Sequence, residues 1–230
     1  MTTTVRTHGW RLLLLTSGLL MLAGGPRHPE VDAGHPLREE LAIMTAHSDW
    51  VPAHVLTLTS TVLLALGLWA ARAGGSWPAT TRRALAFAAV CVSAYAVESA
   101  FHLAAFVDSD ALAHGGGAPV AMTHVGLSIV LYPLTGAAIT RLALSYGRAL
   151  GGWRLLVAGV GALAGTALAT AVPLSILLPD TEISPVFAAA GILTALWSIG
   201  VAAGGARPSP GRARRSTTGS DRVAVSELVG

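Results

Sequence analysis

The chain has 230 residues, of which 53% are hydrophobic and 12% are charged, and its mean hydropathy is +0.61. Soluble domains carry about twice that charged fraction, so the composition excludes the soluble globular class and favours an integral membrane protein. The single cysteine, Cys91, excludes an intrachain disulfide, a CxxC redox motif and a cysteine zinc cluster.

Apolar stretches that approach the length needed to cross a bilayer recur along the chain. We predict an all-α membrane bundle of six transmembrane helices within residues 1–206, with both termini cytoplasmic. The predicted spans are residues 10–25, 50–71, 83–107, 119–146, 153–178 and 185–203. The first of these also resembles a secretory signal peptide, but Trp10 and Arg11 form a plausible interfacial anchor and favour a retained helix.

Two segments outside the spans have their own character. After Pro36, the residues Leu37, Leu41 and Met44 fall on one helical face, which predicts a short amphipathic helix on the outer surface. Residues 207–230 are rich in Pro, Ser, Gly and Arg, which predicts a disordered basic cytoplasmic tail.

The charges follow the predicted topology. With both termini cytoplasmic, thirteen of the fifteen arginines lie inside and nine of the twelve acidic residues lie outside, as the positive-inside rule requires for the arginines. The pI near 9.7 therefore reflects topology and not nucleic-acid binding. We expect a bacterial plasma-membrane protein whose partner is the lipid bilayer, and a second copy or a membrane-complex subunit remains open as a further partner.

Three histidines occupy similar depths in three predicted spans. His54 lies near the start of the second span, His102 near the end of the third and His124 near the start of the fourth. At 1.5 Å per residue, all three lie roughly 6–9 Å below the outer edge of the apolar layer. Because short loops favour neighbouring helices, we expect the three rings to share one site.

The third predicted span also carries a polar stripe. Cys91, Tyr95, Glu98 and His102 are spaced by four, three and four residues, so they share one helical face. A carboxylate near the bilayer midplane is costly unless it is protonated, paired or bound to a metal, so this face should point into the bundle. Glu98 is therefore predicted as a fourth ligand or as the group that handles protons.

Five further side chains are candidates to support the site through hydrogen bonds or as additional ligands. They are Tyr95, Thr57, Ser128, His47 and His114. Thr57 lies on the helical face of His54, and Ser128 lies one turn below His124. His47 and His114 lie in loops near the same level, where solvent-exposed histidines are common.

Three classes of function fit these residues. Histidines with a carboxylate suit zinc or non-haem iron, and facing histidines suit the axial positions of a b-type haem. The same stripe also suits a proton or solute pathway, and a non-catalytic structural or accessory role is the third class. The sequence has no HExxH, HxxxH, CxxCH or GxSxG motif, so enzymatic activity, substrate and reaction stay open.

Overall fold

The structure, a computed structural model, describes residues 2–29, 34–75 and 77–205. Within these ranges the chain is helical and has no strand. Eight α-helices follow one another: α1 (Thr2–Gly24), α2 (Leu37–Ala46), α3 (Trp50–Ala73), α4 (Arg82–Ala104), α5 (Ser109–Ala113), α6 (Pro119–Leu150), α7 (Arg154–Leu177) and α8 (Ser184–Gly204). The all-α prediction is confirmed for this part of the chain, and the predicted tail at residues 207–230 lies outside it.

Five helical segments of the described chain are long and apolar enough to cross a membrane. They are Trp50–Ala73, Ala79–Ala113, Pro119–Leu150, Arg154–Leu177 and Ser184–Gly204. Helix α1 is also long, with 23 residues, but its first turns contain four threonines, an arginine and a histidine. Helix α1 is not among the five.

Six long helices close into a ring. Helix α1 packs against α3, α3 against α4, α4 against α6, α6 against α7, and α7 against α8, which returns to α1. The hydroxyls of Ser17 and Ser60 are 3.2 Å apart between α1 and α3, and the Arg11 guanidinium donates to the carbonyl of Ala202 in α8 at 2.6 Å. Helix α1 is therefore an integral part of the bundle.

The contact between α6 and α7 depends on two glycines. A Cβ on Gly136 would collide with the carbonyl oxygen of Gly165, and a Cβ on Gly165 would collide with that of Gly136. Small residues at such a crossing let the two backbones approach closely and so strengthen van der Waals packing. This packing matters within a bilayer, because the hydrophobic effect does not drive helices together there. Gly161, one turn before Gly165, lies against Trp197 of α8.

The two ends of the ring differ in chemistry. The end that holds Trp50, Ala104 and Pro119 is called the histidine end below, and the end that holds Ala73 and Leu150 is called the arginine end. Helices α2 and α5 pack together over the histidine end. There Leu41 and Leu112 are buried with Trp50 in a small apolar cluster.

The helix predicted after Pro36 is present as α2, with Leu41 at 3% exposure and Leu37 at 50%. The third predicted span ends at residue 107, whereas in the structure α4 ends at Ala104 and the chain continues through a 3-10 turn, Ala105–Asp108, into α5. The Asp108 carboxylate explains part of this difference, because it accepts hydrogen bonds from the backbone N–H groups of Val120 and Ala121 at 2.7 and 2.9 Å. It thereby satisfies donors that the start of α6 would otherwise leave unpaired.

Candidate metal centre

The predicted histidines meet at the histidine end of the bundle. His54 lies in the second turn of α3, His102 in the last turn of α4 and His124 in the second turn of α6. Helix α4 packs against both α3 and α6, so His102 lies between the other two rings. The side chains of His54 and His124 are buried, at 3% and 8% exposure.

His54 and His102 face one another through the same ring atom. Their Nε2 atoms are 3.2 Å apart. The Nδ1 of His54 lies 2.6 Å from the carbonyl oxygen of Trp50, and a carbonyl can only accept, so Nδ1 carries the proton. In the neutral ring, Nε2 of His54 is then an unprotonated lone pair directed at His102.

Glu98 and His124 form a second pair beside the first. The Nδ1 of His124 lies 2.6 Å from a carboxylate oxygen of Glu98, whose side chain has no exposure to solvent. The rings of His102 and His124 are stacked, with centroids 3.9 Å apart and planes inclined by only 16°. The buried carboxylate is therefore paired within the bundle, as the cost of an isolated charge there demands.

His28 is the site residue that sequence reasoning missed. Its ring centroid lies 4.8 Å from that of His54 and 5.8 Å from that of His102. The Nδ1 of His28 lies 2.8 Å from the carbonyl oxygen of Pro29, which again assigns the proton to Nδ1 and leaves Nε2 as an acceptor. The available signal was position: His28 follows the end of α1 by four residues, across a 3-10 turn at Gly25–Arg27, and so stays at the level of the other rings.

Two overlapping groups of side chains could hold a metal ion. The first is His28, His54 and His102, and the second is Glu98, His102 and His124. Within each group, one nitrogen or oxygen atom from every residue lies within 4.8 Å of the others. His102 belongs to both groups, which makes it the centre of the cluster.

Trp50 covers this cluster. It is completely buried, and its indole N–H donates to the carbonyl of Leu103 at 3.1 Å. Its ring lies against His54, with centroids 4.0 Å apart. This residue joins the first turn of α3 to the end of α4, and it restricts the positions of both imidazoles that face each other.

The supporting side chains predicted from the helices bond elsewhere. The hydroxyl of Thr57 donates to Ala53 at 3.0 Å, and that of Ser128 donates to Val125 at 2.8 Å. Both are bonds to the preceding turn of the same helix. Tyr95 packs edge-on against Tyr132, with centroids 5.0 Å apart.

The two loop histidines lie away from both groups. Nδ1 of His47 accepts a hydrogen bond from the backbone N–H of Asp49 at 3.1 Å. His114 pairs with Asp110 at 3.2 Å, and its side chain is 76% exposed. Both have local acidic partners on the surface, so the structure does not bring them to the cluster.

Comparison of the chain with protein-family models, with curated protein sequences and with solved structures finds no match. The function must therefore be inferred from the site itself. The relevant observations are the two facing nitrogens of His54 and His102, the buried Glu98–His124 pair and the neighbouring ring of His28.

Proposed function

We propose that the chain is a multi-pass membrane protein that binds one divalent transition metal ion through imidazole nitrogens at the histidine end. The observation that supports this most directly is the 3.2 Å separation between the Nε2 atoms of His54 and His102. Two nitrogens bound to one tetrahedral ion at about 2.0–2.1 Å lie roughly 3.3 Å apart. The rings therefore already have the separation that shared coordination requires.

The hydrogen bonds to backbone carbonyls support the same assignment. A histidine that binds a metal through one nitrogen commonly donates its other N–H to a carbonyl or a carboxylate, which fixes the tautomer and the ring orientation. His54 donates in this way to Trp50 and His28 donates to Pro29. In both rings the proton on Nδ1 makes Nε2 the nitrogen that would coordinate the ion.

We propose His28, His54 and His102 as the primary ligands. The second group competes less well because the rings of His102 and His124 are nearly parallel. An imidazole binds a metal in its own plane, so an ion in the plane of one stacked ring is displaced from the plane of the other. His124 would need to turn before it could bind the same ion as His102.

Glu98 and His124 are proposed to act beside the ion. The Glu98 carboxylate, 2.6 Å from Nδ1 of His124, is a proton acceptor in the interior. The ring of His124 lies between this carboxylate and His102. Three imidazole ligands leave one position of a tetrahedral ion for water or another ligand, as in catalytic zinc sites. Zinc is the first candidate, because it combines this geometry with a preference for imidazole, and iron is the alternative.

The same stacking argues against a b-type haem. Axial histidines must stand on opposite faces of a porphyrin, with the macrocycle between them. The rings of His54, His102 and His124 instead contact one another directly, at centroid distances of 4.4 and 3.9 Å. A porphyrin between any of these rings would require the helices to separate.

We also propose that α1 is retained as a sixth span and that both termini are cytoplasmic. The packing of α1 against α3 and α8 and the arginine distribution support this topology. It can be tested with a membrane-impermeant thiol reagent in a Cys91→Ala background. The variant His47→Cys should react in intact cells, whereas Gly74→Cys should react only after permeabilisation, and the reverse pattern would invert the topology.

The metal proposal is tested on full-length protein purified in detergent without chelators. Elemental analysis should find about one equivalent of a transition metal, or a titration of stripped protein with Zn²⁺ should show one tight site. The double variant His54→Ala/His102→Ala should lose it, and the matched control His47→Ala/His114→Ala should keep it. Wild-type protein that neither retains nor binds a metal would refute the proposal.

A further inference from the structure

A groove of about 860 Å³ opens at the arginine end of the bundle. It runs between α6 and the neighbouring helices α4 and α7. Three arginines line it, Arg83 from α4 and Arg141 and Arg148 from α6, and small or apolar residues such as Ala137, Leu144 and Ala169 line the rest. The groove thus combines a strongly basic region with an apolar one.

The two regions lie at different depths. Counted from Pro119 at 1.5 Å per residue, Arg141 lies roughly 33 Å along α6, which is just beyond the roughly 30 Å thickness of the hydrocarbon layer. Arg83 lies at the start of α4 and Arg148 near the end of α6. All three guanidinium groups can therefore reach the level of lipid headgroups, and Ala137 and Ala169 lie on the hydrocarbon side.

The three arginines have no acidic partner among the described residues. Among the described residues, no ion pair joins Arg83, Arg141 or Arg148 to a carboxylate, and no hydrogen bond from them to another residue is found. Seven of the eight described carboxylates lie at the histidine end and the eighth, Glu98, pairs with His124. All three arginines are exposed, so their charges are available to an anion from outside the chain.

We propose that this groove binds an anionic phospholipid of the bilayer. The lipid phosphate would lie among Arg83, Arg141 and Arg148, since one guanidinium group can donate two parallel hydrogen bonds to phosphate oxygens. An acyl chain would lie along the small residues of α6 and α7. Arginines near an anionic membrane surface attract its lipids, and the groove adds an apolar region that a free anion would not use.

The groove and the metal centre lie at opposite ends of the bundle, so either proposal can fail without the other. The test measures the rise in thermal unfolding temperature of delipidated full-length protein in neutral detergent when phosphatidylglycerol is added. The comparison additives are phosphatidylcholine and inorganic phosphate. The test variant is Arg141→Gln/Arg148→Gln, and the matched control is Arg72→Gln, an exposed arginine at the same end that does not line the groove.

Phosphatidylglycerol should stabilise the wild type and the Arg72→Gln control equally, and the double variant should lose at least about half of that shift. An equal shift with phosphatidylcholine, or an undiminished shift in the double variant, would overturn the proposal. A full shift from inorganic phosphate alone would overturn the assignment to a lipid. If the double variant does not fold, mass spectrometry of wild-type protein decides, because an anionic phospholipid should remain bound after detergent exchange and its absence would refute the site.

Discussion

The Nε2 atoms of His54 and His102 lie 3.2 Å apart, although the two residues are 48 positions apart in the chain. The hydrogen bond from His54 Nδ1 to Trp50 leaves the lone pair of His54 Nε2 pointing at its neighbour. Two facing lone pairs would repel each other, so the nitrogens must share either a proton carried by His102 or a metal ion bound to both.

The first prediction concerns the ligands of the proposed ion. Replacing His54 or His102 with alanine should weaken Zn²⁺ affinity by more than about 100-fold, because loss of a direct ligand exceeds the 10–100-fold typical for loss of a supporting hydrogen bond. His28→Ala should also weaken affinity, by at least about 10-fold. Competition against a chromophoric chelator measures these changes in detergent-purified protein.

The control for His28 is His35→Ala, a histidine of the same loop that pairs with Glu39 at 3.2 Å and lies outside both groups. Unchanged affinity in His28→Ala, together with loss in His54→Ala, would remove His28 from the ligand set and leave the metal proposal in place. If His54→Ala also kept full affinity, a proton would be the species between the two rings.

The second prediction concerns Glu98. Glu98→Ala should lower the free energy of unfolding by about 1–3 kcal/mol, because it leaves the Nδ1–H of His124 without an acceptor in the interior. Glu98→Gln should cost clearly less, since the amide oxygen can still accept the hydrogen bond from His124 Nδ1. Thermal unfolding in detergent compares the two variants. Equal losses of stability would show that the hydrogen bond to His124 is not the stabilising contribution of the Glu98 carboxylate.

The third prediction tests the crossing of α6 and α7. Gly136→Ala should destabilise the bundle by about 1–3 kcal/mol or more. The added methyl meets backbone atoms of α7, so the two helices would have to move apart to accommodate it. Gly126→Ala is the matched control in the same helix, where a Cβ meets nothing within 4 Å. That variant should be neutral or gain up to about 1 kcal/mol from helix propensity. Similar unfolding temperatures for the two variants would contradict the close approach.

The fourth prediction concerns Glu40 on α2. Burial raises the pKa of this carboxyl above its ordinary value of 4.5, the nearby charge of Glu182 raises it further, and His35 opposes the rise. The folded state then holds more protons than the unfolded state, so stability falls as the pH rises from about 4.5 through the raised pKa. Glu40→Gln should remove that fall.

The effect at Glu40 should stay below about 1 kcal/mol, because the side chain is only half-buried and solvent screens its charge. Unfolding temperatures of wild type and variant between pH 4 and pH 7 measure it. Asp180→Asn, at an exposed carboxylate of the loop before α8, is the control and should leave the pH profile unchanged. A wild-type unfolding temperature that rises over this range and is unaffected by Glu40→Gln would contradict the raised pKa of Glu40.

Much of the architecture follows from the sequence because a bilayer allows few solutions. Long apolar stretches must be helical when no water can satisfy their backbone groups, and five of them appear as helices close to their predicted positions. The amphipathic pattern after Pro36 likewise predicted α2. The count of six spans and the side of each terminus depend on α1 and on charge distribution, and these remain predictions.

The depth of His54, His102 and His124 could be counted from the sequence, since rise per residue fixes position along a helix. The sequence could not predict which imidazole rings meet, because that depends on how each helix is rotated and on which helices are neighbours. The order of the helices around the bundle decided that His102 lies between His54 and His124. The tertiary structure also showed that the hydroxyls of Thr57 and Ser128 bond within their own helices.

His28 shows the remaining limit most clearly. The sequence determined a helical membrane protein with histidines at one level, because hydrophobic length and helical rise are local properties. Only the tertiary structure decided that a turn after α1 brings His28 against His54 and His102, while His47 and His114 stay with Asp49 and Asp110. A loop residue has no periodicity that fixes its direction, so its contacts depend on the helices that surround it.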